Sequence, residues 1–359
     1  GKIGLRVFTP EMKKDGWAVP RTVVELVTED QPFLVDSVAA RLASAGHSVL
    51  FRVHPAMDVL RGRDGKRRDL LDQQSHTPGK IREAVLHLEI QGVVTPARVK
   101  EITGLIREVV ADIRSAVEDW RPMLDVLDST IDEIKRSPPP LGEEGVSESI
   151  AFLEWMRDGH FTFLGCREYA YSFKKGSEAF KATEKMGLGI LRDPKVHVLA
   201  GATGLAAVSE EVREFLSRPE LLIVTKTKAR SRVHRIVPMD YIGVKRYGKN
   251  GQVIGEMRFV GLFTATAYNR TVETIPLLRS KVAHTIRRAG FAPESHDANA
   301  LLYVLDTFPR DELFQVSDDY LFHTALGILD LRQRPRIRAF PRLDRFERFA
   351  SVLVYVPRE

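Results

Sequence analysis

Five basic residues, Lys226, Lys228, Arg230, Arg232 and His234, occupy alternate positions of one short stretch, so in a strand they would share a face. Such a face offers an anion-binding surface for a nucleotide or an acidic effector. The preferred reading is plainer: a solvated face, or an interface to acidic residues of the missing part of a longer chain, since exposed charges contribute little on their own. A second constellation is Asp30, Gln31, Pro32, Phe33, Leu34 and Asp36. There a strand-like run passes straight into a helix, whose first-turn amides and dipole favour a carboxylate. Asp30 can also cap those amides, and Pro32 fits a position that needs no donor. A capped helix without a ligand is therefore preferred here.

The remaining candidates hold less chemistry. Cys166 follows His160 by six residues, a spacing open to a nucleophile and its base, but it continues an apolar run and reads as a buried, inert thiol. Asp311 and Glu312 are adjacent, so on a helix they diverge, and capping between two helices is their default role. A dinucleotide fingerprint needs three glycines at fixed spacing; Gly187 and Gly189 have the first interval, but Arg192 stands where the third belongs. No phosphate loop and no zinc pattern occurs, and the ten histidines are scattered. The sequence thus predicts no catalytic, cofactor-binding or metal-binding residue.

Positioning these residues requires alternating elements. Thr22 to Asp30 alternates as a half-buried strand, and from Val35 the apolar positions take helical spacing up to Gly46. Ser48 to Leu60 is β-rich and ends at the turn Gly62 to Gly65. Lys66 to Lys80 is polar and reads as a loop. Leu86, Leu88 and Ile90 form one face of a further strand, and Thr95-Pro96 opens a long helix. Helix continues through Arg121 to Arg136 until Ser137-Pro138-Pro139-Pro140, which reads as an exposed linker between cooperative units. Ser147 to Arg157 is helical again and Phe161 opens a second β-rich region. Tyr241 to Tyr247 and Gln252 to Phe263 flank Gly248-Lys249-Asn250-Gly251 as a hairpin. Three helices follow, from Ile275, over Asp297 to Thr307 and over Ser317 to Leu331. Arg336 to Phe340 and Ala350 to Val356 are strand-like, the second apolar enough to need cover on both faces. A chain stopping there is expected to be a piece of a longer protein.

Composition bounds the function classes. The chain has 359 residues, 28% charged and 43% hydrophobic, which predicts two or three globular domains. Its 54 basic against 48 acidic residues give a formal charge of +6 and a pI near 9.3. That excess is too mild to make a nucleic-acid binder by itself, and the row Arg332, Arg334, Arg336 and Arg338 lacks aromatic neighbours for stacking. One cysteine excludes an intrachain disulfide framework. No run reaches the length of a membrane helix, so a cytoplasmic protein with no membrane partner is expected.

The Asp30 junction resembles the first strand and helix of an ACT domain, an amino-acid-sensing module of ferredoxin-like fold. The match is Asp30, Gln31, Pro32, then Leu34 and Val35, with Phe33 standing where that pattern has glycine. Over nearly the whole chain, segments resemble the large bacterial NAD-dependent glutamate dehydrogenases. They are Gln31 to Val38, Gly159 to Gly165, Asp240 to Lys245, Pro309 to Gln315 and Leu353 to Arg358. The resemblance implies a regulatory or assembly region, preceding a catalytic domain that oxidises L-glutamate to 2-oxoglutarate and ammonia with NAD. It implies no cofactor in this part, NAD in the parent, and as partners that catalytic domain, other subunits of a homo-oligomer and an amino-acid effector. The expected fold class is α+β: an ACT-like α/β sandwich over 1–120, a helical connector over 121–160 with its linker at 137–146, and a PAS-like mixed α/β domain over 161–273. A helical segment over 274–333 and the first strands of a further ACT-like module over 334–359 complete it. The competing readings are a free-standing ACT or PAS ligand-binding module and a basic nucleic-acid-binding protein.

Overall fold

A computed structural model describes residues 3–174, 177–182, 187–193, 196, 220–343 and 350–357. The chain divides into two compact units: Gly1–Asp119 together with Arg230–Val237, and Trp120–Ala229 together with Pro238–Glu359.

The first unit is an antiparallel sheet covered on one face by helices. Its elements are β1 (Gly4–Phe8), a short α1 (Met12–Asp15), β2 (Thr22–Glu29), α2 (Leu34–Ser44), β3 (Val49–Val53), β4 (Ala56–Arg61), β5 (Arg67–Leu71), β6 (Lys80–Ile90) and α3 (Pro96–Glu118). The strand order is β1-β2-β6-β4-β5, with β3 also pairing β6. Val24 faces Leu88 and Leu26 faces Leu86 across the β2–β6 ladder, and all four are buried. The expected alternation of Leu86, Leu88 and Ile90 inward with His87 and Glu89 outward is therefore present. On α3, Ile102, Ile106, Val109 and Ile113 form the buried stripe. Thr95 caps it by accepting the Arg98 amide, a contribution of about 1 kcal/mol.

Two features of this unit depart from expectation. Lys66 to Lys80 is not all loop: β5 pairs with β4, Val59 opposite Leu70, because a strand at a sheet edge needs only one partner and tolerates charge. The edge beside β2 is taken by β1, ahead of the first helix, where a β-α-β-β-α-β arrangement would bring a strand back after its second helix. Here that second helix is followed directly by another helix.

The second unit holds α4 (Trp120–Arg136), α5 (Glu143–Trp155), β7 (Phe161–Lys174), β8 (Ser177–Ala182), β9 (Leu188–Gly189), β10 (Leu222–Arg230), β11 (Pro238–Tyr247) and β12 (Val253–Phe263). It continues with α6 (Ala265–Tyr268), α7 (Leu278–Ala289), α8 (His296–Thr307), α9 (Arg310–Gln315), α10 (Asp318–Gln333), β13 (Arg338–Leu343) and β14 (Ala350–Tyr355). The main sheet runs β10-β11-β12-β7-β8, so its first strand lies inside it. The β11–β12 hairpin closes as read from sequence: the Gly248 amide donates to Gln252 O and Gly251 takes φ 74°. Gly290 ends α7 in the left-handed conformation, also as expected.

Here the proline segment is corrected. One hydrophobic core contains Met123, Leu127 and Ile134 of α4, Val146 and Phe152 of α5, Phe259 and Phe263 of β12, Leu301 of α8 and Phe340 of β13. Connector, sheet and helical segment thus share a core, and the prolines turn the chain at its edge: Pro139 is buried, whereas Ser137, Pro138 and Pro140 are exposed as expected. A short helix, α9, starts at Arg310 between the helices read over Asp297 to Thr307 and Ser317 to Leu331. The hairpin β13–β14 is also not covered on both faces. Leu353 and Tyr355 pack on the core, while Val352 and Val354 are 54% and 58% exposed.

Candidate functional site

At the start of α2 the residue types dictate an unusual entry. Asp30 does not cap the helix: its amide donates to Arg82 O at 2.9 Å and its carboxylate pairs with the Arg82 guanidinium at 3.3 Å, which ties it to β6. Phe33 is the residue that precedes the helix, and it has φ 69°, the left-handed region that costs a bulky side chain free energy. This is the position where the ACT pattern has glycine, so the chain keeps the glycine conformation without the glycine. Leu34 is buried, whereas Pro32 and Asp36 are exposed.

The start of α2 is covered by Arg230–Val237, the connection between β10 and β11. The His234 ring lies 5.0 Å from the Phe33 ring. The His234 amide donates to Ser37 Oγ at 2.8 Å, and that hydroxyl donates to Phe33 O at 2.5 Å. His234 itself has φ 66°. Burial holds its imidazole below the usual range, with Arg235 adding to the effect and Asp36 opposing it. The six candidate effector residues are thus adjacent, but their helix start carries a segment of the chain's own.

The basic row is one face only in part: Lys226, Lys228 and Arg230 alternate along β10, which ends at Arg230, so Arg232 and His234 lie beyond the strand. Lys226 Nζ lies 2.6 Å from Asp240 and 3.1 Å from Asp311. Asp240 is buried, with its second oxygen accepting the Phe263 amide at 3.0 Å, and Tyr268 donates to Asp311 at 2.7 Å. Burial pushes the Asp240 carboxyl up to about 6 against the pull of Lys226, and the like charge of Asp311 adds to the rise. Burial also works against the Lys226 ammonium, but the two carboxylates outweigh it and raise its pKa. Lys228 is exposed, and Arg230 donates to Ile236 O. Arg232 lies past the strand and pairs with Asp112 at 2.6 Å and Glu108 at 3.2 Å, both on α3. The acidic partners expected elsewhere are in this same chain.

Sequence reasoning did not single out a buried polar network on β7, β11 and β12. Glu256, 1% exposed, accepts from Tyr241 Oη at 2.6 Å and from Arg258 Nε at 2.8 Å. The Arg258 guanidinium lies 3.8 Å from the Tyr169 ring centroid, a cation–π distance. Arg167 donates to Leu191 O at 3.1 Å. The available signal was Glu256 and Arg258 alternating inside an otherwise apolar strand. Cys166 is buried, as read from its apolar surroundings. Asp311 and Glu312 diverge as expected, Asp311 toward Lys226 and Glu312 toward Arg342 and Ser351, but neither caps a helix. Among the described residues no cluster of His, Cys, Asp and Glu could hold a metal, and no helix is long and apolar enough to cross a membrane.

An ACT-type sheet-and-helix unit followed by a helix-flanked antiparallel sheet defines a modular α+β class of chain. The sequence matches the glutamate dehydrogenase ACT1 domain over residues 1–106 and the glutamate dehydrogenase helical motif 1 over residues 275–334. It is 35% identical, over 99% of its length, to the NAD-specific glutamate dehydrogenase of Halomonas elongata, and 34% identical over 99% to that of Pseudomonas aeruginosa. With the Mycobacterium tuberculosis enzyme of the same name it shares 27% identity over 94% of its length. The chain belongs to the NAD-specific glutamate dehydrogenase family. It spans about a fifth of the relatives it matches, 22% of the first two and 20% of the third.

Proposed function

We propose that this chain is a regulatory and assembly region of an NAD-dependent glutamate dehydrogenase. The reaction of the whole protein would be oxidative deamination of L-glutamate to 2-oxoglutarate and ammonia, with NAD reduced. The observation that carries this reading is identity spread over 94–99% of the chain to three enzymes of that name, of which the chain covers only about a fifth. NAD and the glutamate site then belong to the remainder of the parent. The absence of a three-glycine fingerprint from the sequence supports that division.

In this reading the partners are the parent's catalytic domain and further subunits, and the location is cytoplasmic. The second unit is PAS-like, a sheet packed against helices, and β13–β14 are the first strands of a further ACT-like module. Amino-acid binding at Asp30 to Asp36 is weak or absent, because Phe33 and His234 occupy the approach. The test is direct. The purified chain, given L-glutamate and NAD at high protein concentration, yields no NADH; glutamate-dependent turnover by the chain alone would overturn the assignment.

A further inference from the structure

The Arg230–Val237 segment is built to hold two places at once. Its ends close on each other, the Ser231 amide donating to Val237 O at 2.8 Å. Ser231 and Val233 are buried, and Ser231 Oγ both donates to Val233 O at 2.7 Å and accepts the Val233 amide at 3.0 Å. Arg232 fastens the loop to α3 through Asp112 and Glu108. His234 fastens it to the first turn of α2 through Ser37 and Phe33. Both ends of the segment run into strands assigned to the other compact unit, β10 and β11.

We propose that Arg230–Val237 is a releasable strap over the start of α2, whose opening frees that helix start and the β10–β11 connection together. Two observations make it a device and not only a packed loop. Phe33 and His234 are both non-glycine residues in the left-handed region, and they touch one another. Backbone strain concentrated in one contact marks an arrangement that its surroundings hold in place and that relaxes when they let go. The fastening at the other end is a partly exposed ion pair, with Arg232 40% and Asp112 20% exposed, and such pairs hold only weakly. Strain at one end and a partly exposed clasp at the other lower the cost of opening, which the burial of Val233 and Ser231 opposes. This reading rests on the geometry of the segment and stands whatever the parent enzyme catalyses.

Amide hydrogen exchange on the complete 359-residue chain tests it, with Arg232→Ala loosening the clasp and Ser37→Ala removing the acceptor at the far end. In Arg232→Ala, exchange at His234 and at the first turn of α2 rises together, by about two- to fivefold, as loss of a partly exposed ion pair predicts. Ser37→Ala transmits the other way, raising exchange at Ser231 and Val233, while the β11–β12 hairpin stays protected in both variants. Arg232→Ala that leaves α2 unchanged would show a passive loop. Uniform loss of protection through the second sheet would show that no separate strap opens. Either result overturns the proposal.

Discussion

Asp240 links the protonation of a buried carboxyl to the stability of the fold. Its carboxyl titrates near 6 in the folded chain, above the ordinary aspartate value, because burial outweighs the help of Lys226. Between those two pH values the folded state binds more protons than the unfolded state. Stability is therefore lost as pH rises from about 4 to about 6 and levels off above, by at most about 3 kcal/mol from this group. Denaturant titrations of wild type and Asp240→Asn at about pH 4.5 and about pH 7 check the sign, with wild type gaining on the variant as pH falls. Phe33 gives a second expectation at this scale. Phe33→Gly relieves a left-handed φ while losing the His234 contact, whereas Phe33→Ala keeps the strain and loses the ring. The alanine variant is the less stable of the two, by about 1 kcal/mol in denaturant midpoint comparisons.

Elements here are fixed by close backbone approach as much as by apolar pattern. Gly261 lies at a shift of register between β12 and β7, and a Cβ there would stand 2.1 Å from Thr162 O. Gly261→Ala must push the two strands apart, and a loss of about 2–4 kcal/mol in thermal or denaturant unfolding is expected, typical of overpacking against a rigid backbone. The turn through the prolines is a second element-scale case. Pro140 lies under Gly251 of the β11–β12 turn, the Leu141 amide donates to Pro139 O at 2.7 Å, and α4 and α5 on either side enter one core. Limited proteolysis therefore spares Ser137 to Ser147 until the second unit unfolds. An early cut there would mean that the prolines do behave as a linker.

At the scale of the whole molecule, the division of the chain does not follow its sequence order. Arg230–Val237 belongs to the first unit although it is flanked on both sides by strands of the second. Residues 1–119 expressed alone lack the buried Val233 and Ser231 and the Arg232 ion pairs. Burial of a valine side chain alone is worth about 1.5–3 kcal/mol, so that piece is less stable than the same unit within the full chain. Hydrogen exchange of Leu86, Leu88 and Ile106 in the two forms measures the difference. Equal protection would show that the inserted segment contributes nothing to the first unit.

Periodicity alone determined β2, β6, α3 and the β11–β12 hairpin, because each is governed by neighbours within a few residues: alternation, a threonine cap, a glycine at positive φ. The family relation was likewise legible in spaced segments such as Gln31 to Val38 and Pro309 to Gln315. The partners of Lys226 and Arg232 were not. Asp240, Asp311, Asp112 and Glu108 come from distant parts of the chain, and no local pattern records which charges a fold brings within 4 Å. The same limit hid the covering of α2 by His234, since a left-handed phenylalanine is tolerated only where a distant segment holds it. Sequence by itself determined the elements and the family. Tertiary structure alone decided that Lys226 and Arg232 pair with carboxylates of this chain and that His234 lies against Phe33, because burial and long-range contact set the free energy of a charge or a strained residue.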